Sequence, residues 1–223
     1  MAPPEPRPST VELVFVLLTG IGHVVLELSV DGMTGAADSI GRPQHIFNLS
    51  VAVAWLAYLV WRGVTVPGML REWGFRKAGF AASLKPGVIF GLVALVPLLA
   101  YGYMQDRLPL PATFWLVLGI YPLYGIAQQF ALQALITRNL RNRVTRLPLR
   151  VLTASMLFGA AHFPTWWLVG LTFTAGLAFT WIFEKHRNLW AIGIIHGILG
   201  SVAYYLVIGQ DPGAEILGWL RPG

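Results

Sequence analysis

The sequence predicts an all-α fold: a polytopic transmembrane helical bundle of about seven membrane segments. Three observations carry this. Of the 223 residues, 56% are hydrophobic and only 12% charged, and the mean hydropathy is +0.63; a soluble domain of this length needs far more polar surface. Apolar windows of about twenty residues, the length that crosses a bilayer as helix, recur along the chain. The short alternating segments that build a membrane β-barrel do not occur.

The elements follow in order. The opening MAPPEPRPST, residues 1–10, is proline-rich, and a disordered tail is expected there. Residues 11–30 contain Glu12, His23 and Glu27 but are longer than a signal-peptide core, and with one basic residue before them they read as a retained first span. Further apolar windows predict spans over 46–66, 86–104, 112–137, 149–163, 166–183 and 189–208. The fifth is short: residues 151–163 give about 20 Å of helix against a hydrocarbon core of about 30 Å. It is expected to stop inside the membrane at His162-Phe163-Pro164, with the chain returning through the sixth. Between the second and third spans, REWGFRKAGF (Arg71–Phe80) mixes basic and aromatic residues and is expected to lie along the membrane interface. No internal repeat or long linker divides the chain, so residues 11–223 read as one transmembrane domain.

Charge predicts orientation. Arg7, Arg62, Arg71, Arg76, Lys77, Lys85, Arg138, Arg141, Arg143, Arg146, Arg150, Lys185 and Arg187 fall on one side of this topology, and Arg42, Arg107 and Arg221 on the other. The bias predicts a cytoplasmic N-terminus and an external C-terminus. It also accounts for the net charge of +6 through loop residues, so the bilayer is the expected partner and nucleic acid is not. A preference for Arg over Lys, with abundant Ala, Gly, Pro and Trp, points to a bacterial plasma membrane protein.

Polar side chains inside a membrane are costly and tend to line cavities or bind one another. Three places hold them. The fourth span carries Tyr121, Tyr124 and Gln128 at helical spacing, with Gln129 and Gln133 one turn apart beside them. The fifth carries Phe158-Gly-Ala-Ala-His162, and the seventh carries His196 among Gly193, Gly197 and Gly200. Measured along the helices from the basic loops, Gln128 lies about 15 Å deep, His162 about 18 Å and His196 about 10 Å. Shared depth on three spans favours one polar cavity. The alternative for each residue alone is interhelical glue, contributing about 1 kcal/mol or less.

Several chemistries are excluded. The chain has no cysteine, which removes disulfides, thiolate ligands and a cysteine nucleophile. No His-Glu-x-x-His zinc helix, Gly-x-Gly-Asp or Gly-x-Ser-x-Gly elbow occurs. Ser155 and Ser201 lie near the histidines, but isolated membrane serines mostly bond to the backbone.

The order of these motifs resembles the CPBP family, the CAAX-protease and bacteriocin-processing membrane endopeptidases. The family pattern is Glu-Glu-x-x-x-Arg, then Phe-x-x-x-His, then His-x-x-x-Asn, and the resemblance covers residues 85–208. Gln128 and Gln129 take the paired-glutamate positions and Gln133 that of the arginine. Phe158 and His162 match the second motif in full. His196 matches the third, with Gly200 in place of its asparagine. The first motif therefore survives as spacing, with its acids and base neutralised together.

The resemblance implies an intramembrane endopeptidase in which a glutamate activates water against a peptide carbonyl. The histidines would stabilise the oxyanion or hold a divalent metal such as zinc at His162 and His196. A neutral amide cannot be the general base, but it can hold water or a carbonyl by hydrogen bonds. His162 or His196, as neutral imidazole, could serve instead; Glu27, one turn from His23, is a weaker candidate because its depth is nearer the outer face. The expected function is processing of a membrane-associated protein or peptide by His162, His196, Gln128, Gln129 and Gln133, supported by Phe158 and Gly200. Loss of the carboxylates keeps a second reading open, a pseudoprotease that binds a membrane peptide or lipidated tail without cleaving it. A third, a small transporter with His162 and His196 as proton carriers, is disfavoured by the absence of inverted halves.

Overall fold

Every regular element among the described residues is helical, and no strand occurs. The computed structural model describes residues 6–31 and 43–220. The first five residues of the expected tail, and Arg42 and Arg221 of the charges above, lie outside the described residues. The helices are α1 (Thr10–Asp31), α2 (Pro43–Thr65), α3 (Met69–Glu72), α4 (Phe80–Met104) and α5 (Thr113–Gln129). A π-helical stretch, Phe130–Thr137, continues α5 into α6 (Arg138–Leu140). Then come α7 (Leu147–Ala160), α8 (Trp166–His186), α9 (Leu189–Ala203) with a second π stretch (Tyr204–Ile208), and α10 (Pro212–Leu220). Six stretches are long and apolar enough to cross a membrane: Thr10–Ser29, Ile46–Thr65, Phe80–Met104, Thr113–Leu140, Trp166–His186 and Leu189–Ile208. Leu147–Ala160 is the short seventh. Its 14 residues rise about 21 Å, less than a bilayer core.

The chain resolves into two units, residues 1–73 with 132–180 and residues 74–131 with 181–223. In the first, α1 and α2 pack side by side, with the Phe47 ring seated over Gly22, where a Cβ would lie 2.7 Å from it. The Tyr58 hydroxyl donates to Glu12 Oε1 at 2.7 Å. α7 and α8 pack through small residues: a Cβ at Gly176 would stand 3.0 Å from Ser155 Cα, and one at Gly159 3.2 Å from Phe173 Cβ. In the second unit α9 is central. Ile195 fills the space over Gly87 on α4, Leu206 that over Gly102, and Ile126 of α5 lies against Gly193.

Four features depart from the sequence expectation. α4 begins at Phe80, not Pro86. Gly79 turns the chain at φ 78°, and the Ser83 N–H bonds its carbonyl at 2.9 Å, so the first turn closes before Pro86 removes one N–H from a helix already started. Arg138, counted above as a loop charge, is fully buried in α6. Of the tail, residues 6–9 are tied down: Arg138 Nη2 donates to the carbonyls of Pro6 (2.8 Å) and Arg7 (2.7 Å), and the Ser9 N–H donates to Asn139 Oδ1 at 2.7 Å. Finally, α10 follows the seventh span, capped by Asp211, whose Oδ1 accepts from the Ala214 N–H at 2.9 Å with Pro212 at the first helical position.

Candidate active site

The second unit brings Gln128 and His196 together. Gly125 lies one turn before Gln128 on α5, and Gly193 one turn before His196 on α9. A Cβ at Gly125 would collide with the Gly193 carbonyl and the Gly197 amide, and one at Gly197 with the Tyr121 carbonyl and Pro122. Backbone therefore meets backbone here, as small-residue helix contacts allow. That closeness sets His196 Nε2 at 2.7 Å from Gln128 Oε1. An amide oxygen only accepts, so Nε2 carries the hydrogen, and in the neutral ring the basic nitrogen is Nδ1. Because Oε1 faces the imidazole, the Gln128 NH₂ group is turned to other acceptors, the Tyr124 hydroxyl among them.

Three tyrosines cluster on α5 and the second π stretch. Tyr121 packs against Tyr124 and Tyr204, each with ring centroids 5.5 Å apart. Gly200 stands one turn beyond His196, where the resembled family carries asparagine. A Cβ there would rest 3.4 Å from the Tyr121 ring, so the tyrosine occupies the space beside that position. Gln129 is fully buried.

The remaining predicted residues lie in the first unit. Gln133 sits in the π stretch, fully buried, and its Nε2 donates to Thr180 Oγ1 of α8 at 3.1 Å. The wider π turn breaks the simple one-turn relation expected between Gln129 and Gln133. Thr137 Oγ1 follows the same register and donates five residues back to the Leu132 carbonyl at 2.8 Å. His162 lies in the turn after α7. Its Nδ1 donates to the Phe158 carbonyl at 2.8 Å, with the two rings edge to face at 5.0 Å. In the neutral ring this bond leaves Nε2 as the basic nitrogen. Ser155 donates to the Val151 carbonyl at 2.7 Å and Ser201 to the Gly197 carbonyl at 3.0 Å, so both serines are backbone-bonded as expected. His23 bonds Asn48 at 3.0 Å through the same nitrogen that stands 3.9 Å from Glu27.

Sequence reasoning missed a charged cluster in the first unit. Glu12, buried, receives Arg138 Nη1 at 3.1 Å and Asn139 Nδ2 at 2.8 Å on Oε2. Arg138 Nε also lies 3.5 Å from Glu72, which Arg141 reaches at 3.0 Å. An arginine at the end of an apolar window reads as an interfacial charge, and nothing local signals a partner 126 residues away.

A catalytic zinc takes three protein ligands and keeps one open position. Among the described residues no three His, Cys, Asp or Glu side chains gather as a ligand set. Among the described residues the donors therefore do not complete a catalytic zinc site.

Residues 109–202 match the Rce1-like family model, described as type II CAAX prenyl endopeptidase Rce1-like. The match covers somewhat under half of the chain and includes all three motifs. No curated protein and no solved structure matches the chain. The family-model match and the motifs coincide: residues 109–202 of this multi-pass membrane protein are similar to an Rce1-like, CAAX-protease-type region.

Proposed function

We propose that the protein is an intramembrane endopeptidase that processes a membrane-associated protein or peptide in a bacterial plasma membrane, with its N-terminus cytoplasmic. The observation that carries the reading is the pair of histidines whose tautomers are fixed by neighbouring acceptors. His162 Nε2 would take the proton from water as its oxygen bonds the peptide carbonyl carbon. The same proton would then pass to the amide nitrogen as the C–N bond breaks, leaving an acid and an amine. Gln128, held by His196 in the second unit, would present an NH₂ donor to a water or a carbonyl. Gln133, through Thr180, ties the fourth span to α8, and Phe158 orients His162.

Reconstituted protein incubated with lipidated and unlipidated membrane-anchored peptides tests this. Cleavage abolished by His162→Ala supports the peptidase. The loss of the paired carboxylates favours a second reading, a pseudoprotease, whose signature is saturable peptide binding with no cleavage by the wild type. No cleavage and no binding removes both.

A further inference from the structure

The sequence holds three lysines, Lys77, Lys85 and Lys185. All three lie in the second unit and all are exposed. Lys77 sits in the loop before α4, Lys85 in the second turn of α4 and Lys185 in the last turn of α8.

A locked joint lies beside Lys77 and Lys185, with Lys85 further along α4. The Leu189 N–H donates to the Gly74 carbonyl at 3.0 Å, Asn188 Nδ2 to the Ala78 carbonyl at 3.1 Å, and Arg76 Nη2 to the His186 carbonyl at 3.1 Å. Residues 74–79 therefore run against residues 186–189, and a Cβ at Gly79 would strike the His186 carbonyl. Three membrane-length stretches end or begin at this joint, Phe80–Met104, Trp166–His186 and Leu189–Ile208, which puts it at the bilayer surface. Two half-exposed tryptophans flank it, the interfacial residue by preference. Lys185 Nζ stands 4.7 Å from the Trp181 ring centroid, and Trp190 packs edge to face on Phe75 at 5.1 Å.

Several arginines elsewhere are consumed internally: Arg138 by Glu12, Arg141 by Glu72, Arg107 by the carbonyls of Leu206 and Val207. At the joint the Glu184 carboxylate faces Arg187 at 3.9 Å and is nearly buried. Among the described residues no carboxylate pairs with Lys77, Lys85 or Lys185. A lysine is a compact point charge suited to phosphate. We infer that this joint binds the phosphate headgroup of an anionic phospholipid at the membrane surface.

The test compares thermal stability of the full chain in phosphatidylcholine nanodiscs and in discs containing phosphatidylglycerol. The wild type is expected to show a higher Tm with phosphatidylglycerol, an increment reduced by salt. Lys77→Gln/Lys85→Gln/Lys185→Gln should lose most of the increment while keeping its Tm in phosphatidylcholine. The corresponding triple Arg replacement should retain it, as should Arg146→Gln in the first unit. If the triple Gln variant is too unstable to compare, Lys77→Gln with Lys185→Gln must still lower the increment. An equal increment in the wild type and the Gln variants, or none in the wild type, overturns the inference. So does inorganic phosphate reproducing the increment in phosphatidylcholine, which would make this a soluble-anion site.

Discussion

His196 Nε2 and Gln128 Oε1 stand 2.7 Å apart, and this bond selects which nitrogen of the ring is basic. A carboxylate in place of Gln128 would accept the same hydrogen but bring a charge; the amide brings only a dipole. Gln128→Leu removes the acceptor. It should cost about 1 kcal/mol or less in stability, yet convert one imidazole tautomer into a mixture. Nitrogen NMR shifts of the His196 ring read this directly, and unchanged shifts in the variant would contradict the assignment.

The approach of α5 to α9 positions that bond. Gly197→Ala places a methyl against the Tyr121 carbonyl and Pro122, an overpacking expected to cost about 1–3 kcal/mol. Activity should fall, although Gly197 itself has no side chain to contact substrate or histidine. Unfolding in mixed detergent micelles, alongside an activity assay, checks both parts.

Arg138 and Glu12 form a buried ion pair at 3.1 Å. Arg138→Met strands the carboxylate and should cost about 3–5 kcal/mol, whereas Glu12→Met with Arg138→Met should recover most of that loss. The same unfolding measurement on both single variants and the double variant gives the coupling. Independent, additive losses would contradict the pairing.

Asp211 supplies a pH dependence outside the membrane-spanning stretches. Burial raises its pKa, but hydrogen bonds from Tyr205, Thr113 and the Ala214 and Gly213 amides outweigh that, and the carboxyl is held below its ordinary value. A depressed folded-state pKa contributes stability above the unfolded-state value, about 3.9. That contribution is lost as pH falls through the lower, folded-state value. Stability should therefore drop in strong acid, and Asp211→Asn should be less stable at neutral pH with a flatter acid limb.

The number and order of membrane segments were legible because hydropathy over twenty residues is a strong, local signal. The short fifth segment was legible for the same reason: Val151 to Phe163 is too few residues to cross. The π stretch after Gln129 was not, since Phe130–Thr137 has the composition of ordinary helix and its register is set by tertiary packing. The Glu12–Arg138 pair was hidden because partners 126 residues apart leave no periodic trace. Of the site, the residue types and their order were readable. The Gln128–His196 bond depended on Gly125 and Gly197 facing one another across two helices, and Thr180 as the partner of Gln133 had no sequence signal.

The central claim is proteolysis that depends on His162. The most direct measurement compares protein termini in membrane and secreted fractions from wild-type cells, a deletion strain and a strain with His162→Ala at native expression. The account predicts at least one new terminus present in the wild type and absent from both other strains, which would also identify the substrate. Identical termini in all three, under conditions where the gene is expressed, would contradict it.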